Sequence, residues 1–198
     1  MQSANTVPYD AIVIGASAGG LDALGIFLPI LDVRLPVPIL IVQHISATSD
    51  SFIITYFDRL CKLKVKEAEE KEILKPGHVY FAPPDYHLLV ESDKSISLSN
   101  EEKVNYSRPS IDVLFETASW AFGNRLIGII LTGANWDGAA GCELIRKSGG
   151  MVIVQDPKTA SIARMPESVI ERLNPDYVLP LKEIGHLINK IFFLTPTR

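Results

Sequence analysis

Cysteine is scarce in this chain, with two residues, Cys61 and Cys142, among 198. Their separation does not match the ligand spacing of a zinc site, and two thiols are too few for a disulfide framework. We therefore expect both to be reduced and unpaired, as is usual in the cytoplasm. The histidines also lack the spacing of metal ligands, so we expect no metal ion.

Long hydrophobic runs and an excess of basic residues are missing as well. No apolar run approaches the ~20 residues that cross a bilayer, and residues 1–6 lack the basic and apolar layout of a signal peptide. The formal net charge is -4 at pH 7, whereas nucleic-acid binding depends on lysines and arginines that neutralise phosphates. We expect a cytoplasmic protein that neither inserts into a membrane nor binds nucleic acid.

What the chain has is an alternation of apolar strands with helical stretches. Strands are predicted at residues 11–14, 38–43, 126–131 and 151–154, and helices at 21–28, 51–60, 111–122, 141–148, 168–173 and 184–193. This order is typical of an α/β fold with a doubly wound, mainly parallel sheet and helices on both faces. With 47% hydrophobic residues the chain can bury one substantial core, so we expect a single domain over residues 1–198, its core at about 9–193.

Between residues 79 and 98 the pattern changes. Three short apolar segments, at 79–82, 87–90 and 95–98, are separated by turn residues and lie too close together for crossover helices. We expect them to form a small antiparallel insertion. His78 and His87 lie in this region, and we expect surface or structural roles for them.

The segment Gly15-Ala-Ser-Ala-Gly-Gly20 follows the first strand and precedes a helix. Small residues around a serine allow a sharp turn and a close approach of substrate, and N–H groups at a helix start can bind a developing oxyanion. Ser17 is thus a candidate nucleophile. The turn could instead be a structural helix cap, or could cradle a phosphate as in dinucleotide-binding folds. The phosphate alternative is opposed by His44, which ends the second strand where such folds carry a ribose-binding acidic residue.

Two further strands end in residues that suit catalysis. His44 follows the second strand, and Asp137 lies in a glycine-rich turn after the strand at 126–131. The carboxyl ends of parallel strands meet at one edge of a sheet, so Ser17, His44 and Asp137 can converge there. Alone, the histidine could simply hydrogen-bond at a strand end and the aspartate could cap a helix. Their joint position favours a catalytic triad, which geometry and role define rather than chain order.

Several segments resemble the catalytic domain of CheB, the chemotaxis protein-glutamate methylesterase family. In the family's order they are Gly15-Ala-Ser-Ala-Gly-Gly20, Val42-Gln-His44, Lys66-Glu-Ala-Glu69, Leu74 to His87, Ser107-Arg-Pro-Ser-Ile-Asp-Val-Leu-Phe115, Leu131-Thr-Gly133, Asp137-Gly-Ala-Ala-Gly141, Gln155-Asp156 and Met165-Pro166. So many segments in order over nearly the whole chain are far more specific than a lone Gly-x-Ser-x-Gly.

The resemblance implies hydrolysis of γ-methyl glutamyl esters on the cytoplasmic helices of methyl-accepting chemoreceptors, with release of methanol. Ser17 would be the nucleophile, His44 the base and Asp137 its partner. Deamidation of receptor glutamines is implied as a second activity, and no cofactor is implied. A methyltransferase or a separate response regulator is a further candidate partner. Because the substrate is a side chain on a long helical bundle, we expect a shallow, open cleft.

Further residues of the expected cleft are Ala18, Gly19, Ala134, Arg108 and Met165. The N–H groups of the first three are candidate oxyanion donors. The arginine could orient a carboxylate or the receptor backbone, or could instead form a salt bridge or cap the following helix. The methionine follows a loop that we expect to border the cleft.

The chain departs from the family pattern in the cleft and in its domain content. Family enzymes usually carry a hydroxyl residue at the position of Ala18, a methionine at that of Ala134, and Met-Pro-Pro where residues 45–48 read Ile-Ser-Ala-Thr. These changes concern the cleft lining and hence substrate preference. Well-known members also carry an N-terminal receiver domain, which we do not expect in a chain whose first strand begins at residue 11.

Two other classes of function compete with hydrolysis. A non-catalytic module could use the same cleft to bind a receptor or a methyltransferase, although intact Ser17, His44 and Asp137 argue against it. A nucleotide-binding domain is the other alternative, and the missing acidic residue after the second strand opposes it.

Overall fold

The structure is a computed structural model that describes residues 9–44 and 52–193. Its strands are β1 (Ala11–Ala16), β2 (Ile39–Gln43), β3 (Lys64–Glu67), β4 (His78–Phe81), β5 (His87–Val90), β6 (Ile96–Ser99), β7 (Leu126–Ile130), β8 (Met151–Gln155) and β9 (Tyr177–Leu179). Its helices are α1 (Gly20–Phe27), α2 (Phe52–Leu60), α3 (Ile111–Phe122), α4 (Ala139–Lys147), α5 (Arg164–Arg172) and α6 (Leu181–Phe193). The family departure noted at residues 45–48 lies outside the described residues.

Seven of these strands form one parallel sheet in the order β3-β4-β2-β1-β7-β8-β9. β1 pairs with β2 through Ile12 and Ile39, and with β7 through Ile12 and Ile127. The chain therefore builds one side of the sheet from β2 and the other from β7. Ligands of such sheets bind beyond the carboxyl ends of the strands where the order switches, which here means the loops after β1 and β7.

The central strands are buried on both faces, and every residue of β1 and β2 is buried. Side chains alternate along β1, so Val13 joins the core that contains Leu114 of α3, whereas Ile14 joins the core that contains Leu24 of α1. Because both faces are covered, these strands are continuous apolar runs rather than alternating patterns. The two cores hold the strand ends, and with them the loops that carry the site, in a fixed arrangement.

The predicted fold class is confirmed, with one correction to the antiparallel insertion. β5 and β6 form an antiparallel hairpin, with His87 opposite Ser99. The prediction that residues 79–82 belong to it is wrong, because β4 lies in the main sheet, parallel to both β2 and β3. The physical reason is burial on both faces: Val79, Tyr80 and Phe81 are all buried, as interior strands of a covered sheet are.

The hairpin of β5 and β6 packs against α3. Leu88, Val90 and Ile96 belong to the same core as Leu114 of that helix, and the Val90 N–H donates a hydrogen bond to Thr117 Oγ1 at 3.2 Å. The hairpin therefore supports α3 from the side, and it places His87, the first residue of β5, beside the start of the helix.

Candidate active site

Ser17 is the first residue after β1, where the chain turns toward α1. Its N–H donates to the Thr132 carbonyl at 3.0 Å, and its carbonyl accepts a hydrogen bond from Gln43 Nε2 at 2.9 Å. Gly19 in the same turn has φ 76°, and a Cβ there would lie 2.7 Å from Ser161 Cβ. Glycine is required by both the left-handed backbone and this close approach. The serine thus sits on a tightly held turn whose backbone is hydrogen-bonded to β2 and to the loop after β7.

His44 follows β2 directly and bridges Ser17 and Asp137. Its N–H donates to the Ala16 carbonyl at 3.0 Å, which extends the pairing of β1 with β2. Its Nδ1 lies 3.2 Å from Ser17 Oγ, and its Nε2 lies 2.9 Å from Asp137 Oδ2. An ionised carboxylate only accepts hydrogen bonds, so in the neutral imidazole Nε2 carries the hydrogen and Nδ1 the lone pair. Nδ1 is therefore the nitrogen that can take the proton of the serine hydroxyl.

Asp137 lies in the loop between β7 and α4 and is fully buried, with 0% of its surface exposed. Its carboxylate accepts hydrogen bonds from His44 Nε2, Asn105 Nδ2, Ser110 Oγ, and the N–H groups of Ile111 and Asp112. Burial raises the pKa of Asp137, but the hydrogen bonds, that from His44 first, outweigh it and leave the pKa below its ordinary value. The side chain is thus ionised at neutral pH, at the N-terminus of α3, where the helix dipole also favours a negative charge.

A second carboxylate, that of Asp112, lies close to Asp137 and is partly buried. Its Oδ1 accepts the Gly141 N–H at 2.7 Å and its Oδ2 accepts Asn105 Nδ2 at 2.8 Å. The same Asn105 nitrogen is 2.9 Å from Asp137 Oδ1, so one amide group lies between the two acidic side chains. Burial, with the charge of Asp137 adding to it, raises the pKa of Asp112. Asp112 therefore ties the starts of α3 and α4 together, while Asp137 holds the histidine.

Ser110 contacts Asp137 directly, and His87 contacts Ser110. Ser110 Oγ donates to Asp137 Oδ1 at 2.9 Å, and the Ser110 N–H donates to His87 Nδ1 at 3.1 Å. His87 Nε2 in turn donates to the Glu102 carbonyl at 3.0 Å. Accepting at one nitrogen and donating at the other requires a neutral imidazole. The contacts of this buried histidine agree with the structural role expected for it.

Some backbone N–H groups around Ser17 already donate a hydrogen bond, whereas others have no acceptor among the described residues. Ser17 and Gly133 donate theirs to carbonyls of neighbouring loops. The predicted oxyanion donors Ala18, Gly19 and Ala134 donate to no acceptor in the part of the chain that the structure describes. All three are at least partly exposed. They therefore stay candidate oxyanion donors.

Arg108 and Met165, the remaining predicted cleft residues, have different surroundings. Arg108 donates from Nε and Nη2 to Asp85 Oδ1 at 3.1 and 2.8 Å, and from Nη1 to two backbone carbonyls. The salt bridge considered as its alternative role is therefore present. Met165 is fully buried, and a Cβ at Gly133 would lie 2.6 Å from its Sδ and 2.9 Å from Ser17 Cβ. It supports the loop beside the serine from within the core. A direct role of either residue toward substrate stays a prediction.

No sequence motif predicted a site role for Gln43, Asn105, Ser110 or Asn135. Ser110 carried a signal, because a serine directly before an apolar helical stretch is typical of an N-cap; its Oγ instead reaches Asp137. Asn105 and Asn135 contact the triad from loops. No local pattern of the sequence shows which way such loops fold, so these two contacts become visible only in the structure.

The loops after β1, β2 and β7 thus bring a serine, an imidazole and a buried carboxylate together, linked by hydrogen bonds. The sequence model of the CheB methylesterase family matches residues 12–188. The chain belongs to the CheB methylesterase family. This membership confirms the family that the sequence motifs indicate, and places the chain among hydrolases.

Two relatives and one solved structure show the extent of the similarity. A Leptospira interrogans protein, provisionally named for protein-glutamate methylesterase and protein-glutamine glutaminase activities, is 56% identical over 92% of this chain and 95% of that protein. The Methanosarcina mazei protein-glutamate methylesterase/protein-glutamine glutaminase 2 is 38% identical over 92% of this chain. The chain spans 52% of that relative's length. The crystal structure of the Thermotoga maritima CheB methylesterase catalytic domain matches with a TM-score of 0.88 and 36% identity, covering 92% of this chain and 98% of that one.

Three further observations concern membrane spans, metal sites and the two cysteines. Over residues 9–44 and 52–193, no helix has the length and apolar character needed to cross a membrane. The same residues contain no group of three or more histidine, cysteine or acidic side chains placed to hold a metal ion. Cys61 and Cys142 are both unpaired, and burial raises the pKa of the Cys61 thiol to about 11. The thiols are therefore poor nucleophiles at neutral pH.

Proposed function

We propose that the chain hydrolyses γ-methyl esters of glutamate side chains on methyl-accepting chemoreceptors, releasing methanol, with Ser17, His44 and Asp137 as a catalytic triad. The observation that carries the proposal is the continuous path from Ser17 Oγ through both nitrogens of His44 to a buried carboxylate. Family membership and the names of the relatives support the class of substrate.

Acylation starts when Ser17 Oγ attacks the ester carbonyl carbon while His44 Nδ1 takes the hydroxyl proton. The imidazolium that forms is stabilised by the Asp137 carboxylate, 2.9 Å from Nε2. The carbonyl oxygen becomes an oxyanion, for which the free N–H groups of Ala18 and Ala134 are candidate donors. When the intermediate collapses, the bond to the methoxy oxygen breaks, Nδ1 returns the proton to that oxygen, and methanol leaves.

Deacylation repeats these steps with water. His44 Nδ1 takes a proton from a water molecule as its oxygen attacks the acyl carbon, and then delivers that proton to Ser17 Oγ as the bond to the serine breaks. The products are the original enzyme and a glutamic acid side chain, which releases the second proton of the water to solvent and becomes a carboxylate. Deamidation of glutamine would pass through the same acyl-enzyme, with ammonia leaving in place of methanol. We therefore include it as a second proposed activity.

The two ring nitrogens of His44 have exchanged roles relative to the triad of chymotrypsin-like proteases. In those proteases Nε2 faces the serine and Nδ1 faces the aspartate. The sheet order accounts for this. β2 is next to β1, whereas β7 lies beyond β1. The ring nitrogen closer to the His44 backbone therefore meets Ser17 at the end of the adjacent strand, and the more distant Nε2 reaches Asp137 after β7. Either nitrogen can serve as a base once the other is held by a carboxylate.

The surface around the triad suits a helical protein substrate. Trp136, next to Asp137, is 50% exposed, and Tyr106, next to Asn105, is 89% exposed. Exposed aromatic side chains at an open site offer flat apolar contact area for a receptor helix. We propose that the protein acts in the cytoplasm, where these receptor helices lie, and a methyltransferase or a separate response regulator remains a candidate partner. The prediction of a single catalytic domain without a receiver domain stays a prediction.

The first test is methanol release from a methylated cytoplasmic fragment of a chemoreceptor. We expect release by the native chain and a loss of at least ~10³-fold in Ser17→Ala, because a triad without its nucleophile retains little catalysis. Ser161→Ala is the matched control, since it removes another hydroxyl near the Ser17 turn and should stay active.

Circular dichroism would establish that each variant is folded. Turnover retained in folded Ser17→Ala would remove this residue from the mechanism. No release by the native chain, with the fragment still bound, would favour a non-catalytic receptor-binding module instead.

A further inference from the structure

Asn135 lies two residues before Asp137 in the loop after β7 and is partly buried. Its Oδ1 accepts the Asp137 N–H at 3.2 Å. This bond orients the amide, because the oxygen must face the N–H and the nitrogen must face the other way. The amide Nδ2 then lies 3.4 Å from His44 Nδ1, the nitrogen that is 3.2 Å from Ser17 Oγ.

Two donors therefore meet one lone pair. The neutral imidazole offers a single acceptor at Nδ1, and the serine hydroxyl is the nearer of its two partners. A separation of 3.4 Å is at the long limit of a hydrogen bond, so the Asn135 N–H has only a weak partner before reaction. When Nδ1 takes the proton of Ser17, it becomes a donor itself, and the amide N–H loses that partner altogether.

As this proton leaves, Ser17 Oγ bonds to the carbonyl carbon, and the electrons of the C=O π bond move onto the substrate oxygen, which becomes negatively charged. The Ser17 N–H cannot stabilise it, because it is already bonded to the Thr132 carbonyl. The free N–H groups of Ala18, Gly19 and Ala134 are candidate backbone donors. A side-chain amide that becomes free as the charge develops would add a donor that acts only in the transition state.

We propose that Asn135 donates a hydrogen bond from Nδ2 to the substrate carbonyl oxygen as it becomes an oxyanion, together with a backbone N–H of the Ser17 turn. The inference rests on the proposed function, because it describes the same acyl transfer. The amide keeps its protons throughout, and only the acceptor of its hydrogen bond changes. Asn135 would then be a catalytic residue, specific to the transition state.

Two substitutions distinguish the role of the Asn135 oxygen from that of its nitrogen. Asn135→Asp keeps an oxygen for the Asp137 N–H but removes the donor, whereas Asn135→Ala removes both. We expect kcat for methanol release to fall about 10²-fold to 10³-fold in each variant, with KM changed little, as for other side-chain oxyanion donors. Asn124→Ala, an exposed asparagine before the opposite end of β7, is the control and should behave as the native chain.

A peptide boronic acid that forms a tetrahedral adduct with Ser17 provides a readout that a structural role would not move. Its affinity should fall in Asn135→Ala by a factor similar to the fall in kcat, while the pH at which activity is half lost on the acid side stays unchanged. Unaltered kcat and boronate affinity in that variant would overturn the inference. A shifted acid limb with unaltered boronate affinity would also overturn it, because Asn135 would then act only by positioning His44.

These outcomes are distinct from failure of the proposed function. If Asn135→Ala is as active as the native chain while Ser17→Ala is inactive, the hydrolase mechanism stands and only the role of Asn135 is wrong. If the native chain releases no methanol and the boronic acid does not bind Ser17, the proposed function fails, and this inference fails with it.

Discussion

At the scale of single residues, Asp137 performs two tasks with one side chain, because it holds His44 and also anchors the start of α3. Asp137→Asn tests the first task. An amide nitrogen facing His44 Nε2 would donate to it, and the ring would then carry its hydrogen on Nδ1, where it cannot accept the proton of Ser17. We expect kcat for methanol release to fall about 10⁴-fold at neutral pH, as when other triads are held in the wrong tautomer. Activity within tenfold of the native chain would contradict this role.

The same variant has a measurable effect on stability. The Ile111 N–H, now bonded to Oδ2, would face the new amide, and an unsatisfied buried donor costs about 1–3 kcal/mol. Since the folded pKa of Asp137 is lowered, its contribution is present above the ordinary carboxyl pKa and is lost as the pH falls through the folded pKa. In urea unfolding, the difference in the free energy of unfolding between the native chain and Asp137→Asn should therefore become smaller as the pH is lowered. A difference that does not change with pH would contradict this account.

The three proposed catalytic residues could be located from the sequence because each one directly follows, or lies in the loop after, an apolar strand. Their hydrogen-bond partners could not. Asn105 reaches Asp137 from a loop whose path is determined by tertiary packing. For Arg108 the sequence left a substrate contact and a salt bridge open, and the structure shows hydrogen bonds to Asp85 and to backbone carbonyls.

At the scale of secondary-structure elements, the N-terminus of α3 is part of the site. Two buried serines of this region allow a matched comparison: Ser110 Oγ donates to Asp137, whereas Ser119 Oγ donates to the Glu116 carbonyl further along the helix. We expect Ser110→Ala and Ser119→Ala each to lower the free energy of unfolding by about 1 kcal/mol. Only Ser110→Ala should also lower kcat, by about tenfold, because it alone loosens Asp137. Methanol release and urea unfolding would measure both, and equal kcat in the two variants would contradict a catalytic contribution of this helix end.

Elements were predictable where a long periodic pattern was present. Helix α3 has the predicted bounds, 111–122, because its apolar positions repeat with helical spacing. The four-residue β3 and the three-residue β9 were not predicted, since their sequences, Lys-Val-Lys-Glu and Tyr-Val-Leu, are too short to show a period. β4 was assigned to the wrong sheet because a strand of four residues carries no sign of which neighbour it pairs with.

At the scale of the whole molecule, strand order converts separate sequence motifs into one site. β1 lies between β2 and β7, so the loops that carry Ser17, His44 and Asp137 follow three strands that are neighbours in the sheet. The alternation of strands and helices predicted the class of fold, but many sheet orders satisfy the same alternation. The order follows from which faces pack together in the folded chain, and the structure was needed to see it.

This arrangement predicts how the molecule loses activity on partial unfolding. β1 is paired on both sides and fully buried, whereas within residues 9–44 and 52–193 the edge strand β9 pairs with β8 alone, and Tyr177 and Val178 are 40% and 41% exposed. Hydrogen exchange measured in increasing urea should show the amides of β9 exchanging at least about tenfold faster than those of β1, through local opening. Because the three site loops start from the central strands, methanol release should persist while β9 opens and should fall together with the protection of β1. Loss of activity in step with β9, while β1 remains protected, would show that the site depends on the edge of the sheet rather than on its centre.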